Sequence, residues 1–167
     1  MLGRLLAVWP LLPAPNRAPA PFAGVDRERA MILVDTSVWI AHFREAGSNL
    51  AHLLSEGLVM VHPFVVGELA CGNLKNRDGI LSDLQALPPA VPATHEEALR
   101  LVKDRKLWGT GIGWIDAHLL ASALLSEAEL WTLDERLDRA AAAASVKRYA
   151  PWVHKASANR QVRRGPQ

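Results

Sequence analysis

Four acidic residues in this 167-residue chain stand where chemistry could be done: Asp35, Glu68, Asp116 and Asp134. Asp35 closes the apolar run Met31-Ile32-Leu33-Val34. Asp134 follows Leu130-Trp131-Thr132-Leu133. Glu68 lies in the segment that opens at Pro63. Asp116 follows a loop containing Gly109, Gly111 and Gly113, and its neighbours Trp114, Ile115, Ala117, Leu119 and Leu120 are all apolar. A carboxylate beside such a face is costly unless it is paired, solvated or bound to a cation, although a nearby helix N-terminus eases the cost. Each acid also has a purely structural explanation. Asp35 and Asp134 are good helix N-caps, Asp116 suits a first helical turn, and Glu68 suits an exposed helix face. Brought into one cleft, however, four carboxylates repel one another, and a divalent cation relieves that repulsion. Ligands that are all oxygen favour Mg²⁺ or Mn²⁺ over zinc.

Other residue types offer less. The six histidines, His42, His62 and His118 among them, show no HExxH spacing. His118 lies two residues from Asp116, so on a helix the two side chains should face apart. Thr36 and Ser37 have no GxSxG context. The glycine-rich loop is not a phosphate-binding loop, because no strand leads into it and no Lys-Ser/Thr follows it. The single cysteine, Cys71, excludes a disulfide framework and a cysteine-based zinc site. It is expected to be a buried thiol on an apolar helix.

The elements that must position the acids can be read from hydrophobic period and cap signals. Met31–Val34 and Leu58–Val61 have the continuous apolar character of buried parallel strands. Glu129–Leu133 is a third strand, and a last one is expected at Val146–Ala150. A helix follows Asp35-Thr36-Ser37, and another runs from Ser48 or Asn49 to Glu56. Pro63 marks a first helical turn, with a helix continuing to about Leu74. Asp78–Leu87 is amphipathic and stops at Pro88-Pro89, and Val91 lies in a short extended piece. Thr94 with Glu97 three residues on is a capping-box pattern, opening a helix to Leu107. Trp114–Leu125 is a strongly apolar helix, and Asp134 caps the helix that contains the alanine run 140–144. This alternation of strands and helices predicts an α/β fold with a mainly parallel sheet. Ligands of such sheets bind beyond the carboxyl ends of the strands, where Asp35 and Asp134 stand and near which Glu68 lies, one turn into the helix after the strand 58–61.

Composition bounds the rest. Half the residues are apolar, enough for one domain with a core. The net charge of +2 conceals a division: residues 1–30 carry +2, residues 31–146 carry −6 and residues 147–167 carry +6. An acidic body is unlike a bulk nucleic-acid binder and suits a site that concentrates carboxylates. The basic tail, 151–167, reads either as a phosphate grip or as a solubilising end. Residues 1–30, with five prolines and a weak signal-like run Leu5–Leu12, are expected to lie outside the fold. A disordered arm or a start codon placed too early explains them, and the second is favoured because Met31 opens a strand. No segment reads as a membrane span, and one cysteine fits a reducing, cytoplasmic setting.

Four stretches resemble the motifs of PIN-domain nucleases. They are Ile32-Leu33-Val34-Asp35-Thr36-Ser37-Val38-Trp39-Ile40, then Gly67-Glu68-Leu69, then Gly111-Ile112-Gly113-Trp114-Ile115-Asp116-Ala117-His118 through Ala123, and Leu130-Trp131-Thr132-Leu133-Asp134-Glu135-Arg136-Leu137. Order and spacing agree from Met31 to Tyr149, most closely with the VapC toxins of toxin–antitoxin pairs. The resemblance implies a PIN-like α/β/α sandwich over 31–150 and a Mg²⁺-dependent endoribonuclease. In it Asp35 and Asp116 would be the principal metal ligands, Glu68 and Asp134 would complete the acidic cluster, and Ser37 and Thr132 would steady the acids. Mn²⁺ would substitute for Mg²⁺. The resemblance also implies an RNA substrate, a VapB-type antitoxin that puts a side chain, often an Arg, into the acidic site, and a homodimer. Arg44, Lys103, Arg105, Lys106 and the tail are the cations expected to offset repulsion between RNA and the acidic body. Two rivals stand beside this reading. A Mg²⁺-dependent phosphatase or phosphoacceptor domain on a similar sheet is disfavoured by Ser37, which stands where haloacid-dehalogenase-type phosphatases need a second Asp. A non-catalytic binding module is disfavoured by the presence of all four acids.

Overall fold

The computed structural model describes residues 30–44 and 49–151; both terminal extensions expected from the sequence lie outside them. Three parallel strands form the sheet: β1 (Ile32–Val34), β2 (Val59–Met60) and β3 (Glu129–Trp131), in the order β2-β1-β3. Register pairs Ile32 with Val59 and with Glu129, and Val34 with Trp131. β1 is therefore central. Successive residues of a strand point to opposite faces, yet Ile32, Leu33 and Val34 are all buried. Both faces of the sheet must be covered, which is why β1 reads as an unbroken apolar run rather than an alternation.

Helices supply the cover: α1 (Thr36–Arg44), α2 (Asn49–Ser55), α3 (Pro63–Cys71), α4 (Arg77–Gln85), α5 (His95–Asp104), α6 (Trp114–Leu125) and α7 (Glu135–Ala144). Seven consecutive residues of α6, Ala117 to Ala123, are buried, so the middle of this helix is enclosed on all sides. Its bounds are those the apolar run predicted. The capping box at the start of α5 is also as expected. Glu97 N–H donates to Thr94 Oγ1 at 3.2 Å, and Thr94 N–H donates to Glu97 Oε2 at 2.7 Å.

The sheet is extended at both edges by single parallel bridges, Val61 with Pro89 and Leu130 with Arg148. The strand expected at Val146–Ala150 is thus reduced to one bridge. After α7 the chain turns at Ser145, whose φ of 62° is left-handed, and only Lys147 and Tyr149 meet the backbone of Leu130. Cys71 departs from expectation more sharply, because it is exposed. α3 buries Val65 and Leu69, four residues apart on one face. Cys71, two residues beyond Leu69, is turned about 200° away from that face.

Candidate active site

Asp35 stands at the carboxyl end of the central strand. Its N–H donates to the Trp131 carbonyl at 2.9 Å, continuing the β1–β3 ladder by one residue. Its carboxylate is buried and is gripped on one oxygen. Oδ2 accepts from Ser37 Oγ at 2.5 Å, from Thr132 Oγ1 at 2.8 Å and from Ser37 N–H at 3.2 Å. Both hydroxyl oxygens also accept backbone donors: Leu133 N–H on Ser37 Oγ and Asp134 N–H on Thr132 Oγ1, each at 3.0 Å. The two residues expected to steady the acids therefore join the end of β1 to the turn between β3 and α7.

Asp134 is the N-cap of α7, and its Oδ1 accepts from Arg136 N–H at 2.6 Å and Leu137 N–H at 3.3 Å. Beside it a cleft of about 360 Å³ runs along Thr132 and Asp134 to Asp138 and Arg139. Glu68 projects from α3, where Thr36 Oγ1 donates to its Oε2 at 2.5 Å. Asp116 is the third residue of α6. Its Oδ2 reaches back to accept the Gly113 N–H at 2.7 Å, half of a capping box whose N-cap glycine has no side chain to return the bond.

Electrostatics ties the four together. Burial pushes the Asp116 carboxyl above the usual carboxylate range. The Gly113 N–H opposes that rise, and the charges of Asp35, Asp134 and Glu68 add to it. One carboxyl thus senses the other three, although they come from β1, α3 and the β3–α7 turn. Among the described residues, no three His, Cys, Asp or Glu side chains stand at metal-holding distances; each of the four carboxylates is engaged by a donor of its own chain.

Several features lay beyond the sequence reading. His62, buried, caps α3 by accepting Phe64 N–H on Nδ1 at 3.1 Å. The neutral ring then carries its proton on Nε2, 3.1 Å from Ser122 Oγ. Burial and, secondarily, the nearby His118 lower the His62 pKa to about 4. Rings continue outward from it: His62 to Phe64, Phe64 to His118, His118 to Trp114 and Trp114 to His95, with centroids 4.6–5.0 Å apart. His118 faces this aromatic row, which runs from buried His62 out to exposed Trp114 and His95, as its two-residue offset from Asp116 requires. Of the expected cations, Arg105 is misplaced for the site. It bonds Ser145 Oγ at 3.2 Å, beyond the C-terminus of α7, about 15 Å of helix away from Asp134.

A fold with parallel strands in this order, and acids from four segments at one end, defines a family. The chain belongs to the PIN domain family, whose model matches residues 32–143. Among curated proteins it is similar to Ribonuclease VapC32 from two strains of Mycobacterium tuberculosis, CDC 1551 / Oshkosh and ATCC 25618 / H37Rv. Each is 50% identical over 117 residues, covering 70% of this chain and 94% of the relative. Solved structures share the fold at lower identity. FitAB bound to the IR36 DNA fragment aligns with a TM-score of 0.53 at 19% identity, over 74% of this chain and 96% of that one. FitAcB from Neisseria gonorrhoeae aligns with a TM-score of 0.51 at 20% identity, over 73% and 99%.

Proposed function

We propose that this chain is a metal-dependent endoribonuclease and the toxin of a type II toxin–antitoxin pair. The observation that carries the reading is the PIN domain match over residues 32–143, which spans all four acids, together with the charges of Asp35, Asp134 and Glu68 that all reach Asp116. Negative charge concentrated in this way fits a divalent cation. The donors are hard oxygens, suited to Mg²⁺ with Mn²⁺ as substitute. Half-identity to proteins named ribonucleases, over nearly their whole length, supports RNA as the substrate.

Asp35 and Asp116 are the proposed principal ligands, with Glu68 and Asp134 completing the cluster. When bound, the cation supplies Lewis acidity, acidifying water and neutralising charge on the phosphodiester. The chain's own residues prepare the site. Ser37 and Thr132 bond Asp35 on Oδ2, which leaves Oδ1 for the cation and fixes the plane of the carboxylate. The Gly113 N–H favours the ionised form of Asp116 against burial. Thr36 holds Glu68 against the start of α1. An RNA phosphodiester can be reached without opening a duplex.

A VapB-type antitoxin, a homodimer and a cytoplasmic setting belong to the same reading. No described helix is long and apolar enough to cross a membrane. The test is cleavage of RNA by the purified protein with Mg²⁺ or Mn²⁺, with EDTA, and in Asp35→Asn and Asp116→Asn. Cleavage should need the cation and disappear in both variants. Cleavage indifferent to chelator and substitutions would sink the proposal, and phosphate release from a small ester without RNA cutting would favour the phosphatase rival.

A further inference from the structure

Arg136 is the second residue of α7, two residues after the site acid Asp134. A cation in the first turn faces the positive end of the helix dipole, where an acid would be favoured. A local rule broken in this way is expected at functional positions. The backbone of Arg136 belongs to the site already, since its N–H donates to Asp134 Oδ1 at 2.6 Å.

The side chain lies against a neighbouring loop. Gly111 has a φ of +85°, and a Cβ built there would lie 3.2 Å from Arg136 Cδ, 3.7 Å from Nε and 3.8 Å from one terminal nitrogen. The guanidinium stem therefore lies across the space that glycine leaves open, bridging the α7 start to the loop that leads into Asp116. Its charge is not spent in an ion pair: among the described residues, Arg77, Arg139 and Arg148 are the arginines in ion pairs. Arg136 is exposed.

We infer that Arg136 binds a phosphate of the RNA strand at the rim of the acidic site. This inference rests on the ribonuclease reading. An arginine fork suits phosphate oxygens, which it can bond through two N–H groups. Two residues from Asp134 and paired with no described acid, it draws a polyanion to a centre that otherwise repels it. The space over Gly111, whose φ of +85° favours glycine, is where the arginine stem runs.

The test uses the Asp116→Asn protein, so that bound RNA is not cut, and a labelled single-stranded RNA titrated over a range of salt concentrations. Arg136→Ala in that background should weaken binding several-fold. It should also flatten the slope of log K against log salt by about 0.7, the value for one phosphate contact on a single strand. Arg136→Lys should keep the slope and lose part of the affinity. Arg105→Ala, which removes a guanidinium bonded to Ser145 Oγ at the far end of α7, should leave binding unchanged. An unaltered thermal midpoint in Arg136→Ala separates lost contact from lost fold. Should Asp116→Asn bind RNA while Arg136→Ala changes neither affinity nor slope, the phosphate role is overturned and the ribonuclease reading stands. Should the parent neither bind nor cut RNA, both fall.

Discussion

Thr132 donates its hydroxyl to Asp35 Oδ2 at 2.8 Å and accepts the Asp134 N–H on the same oxygen at 3.0 Å. One small side chain thereby couples two acids 99 positions apart in sequence. Thr132→Val keeps the shape and removes both bonds. It should lower cation affinity about 10- to 100-fold, as loss of groups that orient ligands does. It should cost about 1–3 kcal/mol of stability for the unmatched Asp134 N–H and the lost hydroxyl bond. Isothermal titration with Mn²⁺ and urea unfolding measure the two separately. A variant with parental Mn²⁺ affinity would show that Thr132 serves the turn alone.

The charges of Asp35, Glu68 and Asp134 add to the burial that raises the Asp116 pKa. Neutralising any one of them should bring that pKa down. In metal-free protein, Asp35→Asn, Glu68→Gln and Asp134→Asn should each shift the Asp116 titration to lower pH, read by NMR at its carboxyl carbon. The cation binds the ionised form, so parental affinity should fall as pH drops through the raised pKa. If the titration of Asp116 were indifferent to all three substitutions, the four acids would not share a site.

The parts of the molecule legible in sequence are those coded locally. The apolar run fixed the bounds of α6, and Thr94 with Glu97 marked the start of α5, because caps and periodicity act within a few residues. Asp35 and Asp134 could be placed at strand ends because β1 and β3 read as buried strands. Their meeting depends on the strand pairing, which no local signal carries. Glu68 could be placed near the same edge, one turn into the helix after the second strand, but an acid on an exposed helix face has no further distinguishing pattern. Arg136 was passed over in favour of Arg44, Lys103, Arg105 and Lys106. Its placement depends on a left-handed glycine 25 residues earlier in the chain, and that contact is purely tertiary. Cys71 was misjudged because an apolar helix does not reveal from composition which of its faces is covered.

Ser122 is fully buried and holds two segments to α6. It takes the Ala93 N–H at 3.0 Å and stands 3.1 Å from His62 Nε2, while Ser126 one turn on takes the Val91 N–H at 2.9 Å. Ser122→Ala strands two buried donors, at a cost of about 2–4 kcal/mol. The thermal midpoint should fall by roughly 10 °C. Ser126→Ala, at a more open position, should fall less. Equal losses in the two variants would contradict a special role for the buried hydroxyl.

His62 makes the fold sensitive to acid. Its ring is kept neutral by burial and by His118, with a pKa of about 4 against an ordinary 6.5. The unfolded chain takes up a proton as pH falls through 6.5, and the folded chain does so only near 4. Stability from this group is therefore complete above 6.5, declines between 6.5 and 4, and levels off below. The full shift corresponds to about 3 kcal/mol at 1.36 kcal/mol per pKa unit. Urea midpoints of the metal-free protein should fall between pH 7.5 and pH 4.5. In His62→Asn, which can still cap α3 but carries no titrating ring, that fall should shrink by most of this amount. An acid limb as steep in His62→Asn as in the parent would assign the pH dependence to other groups, and the protonated imidazole would then be accommodated where the fold now holds a neutral one.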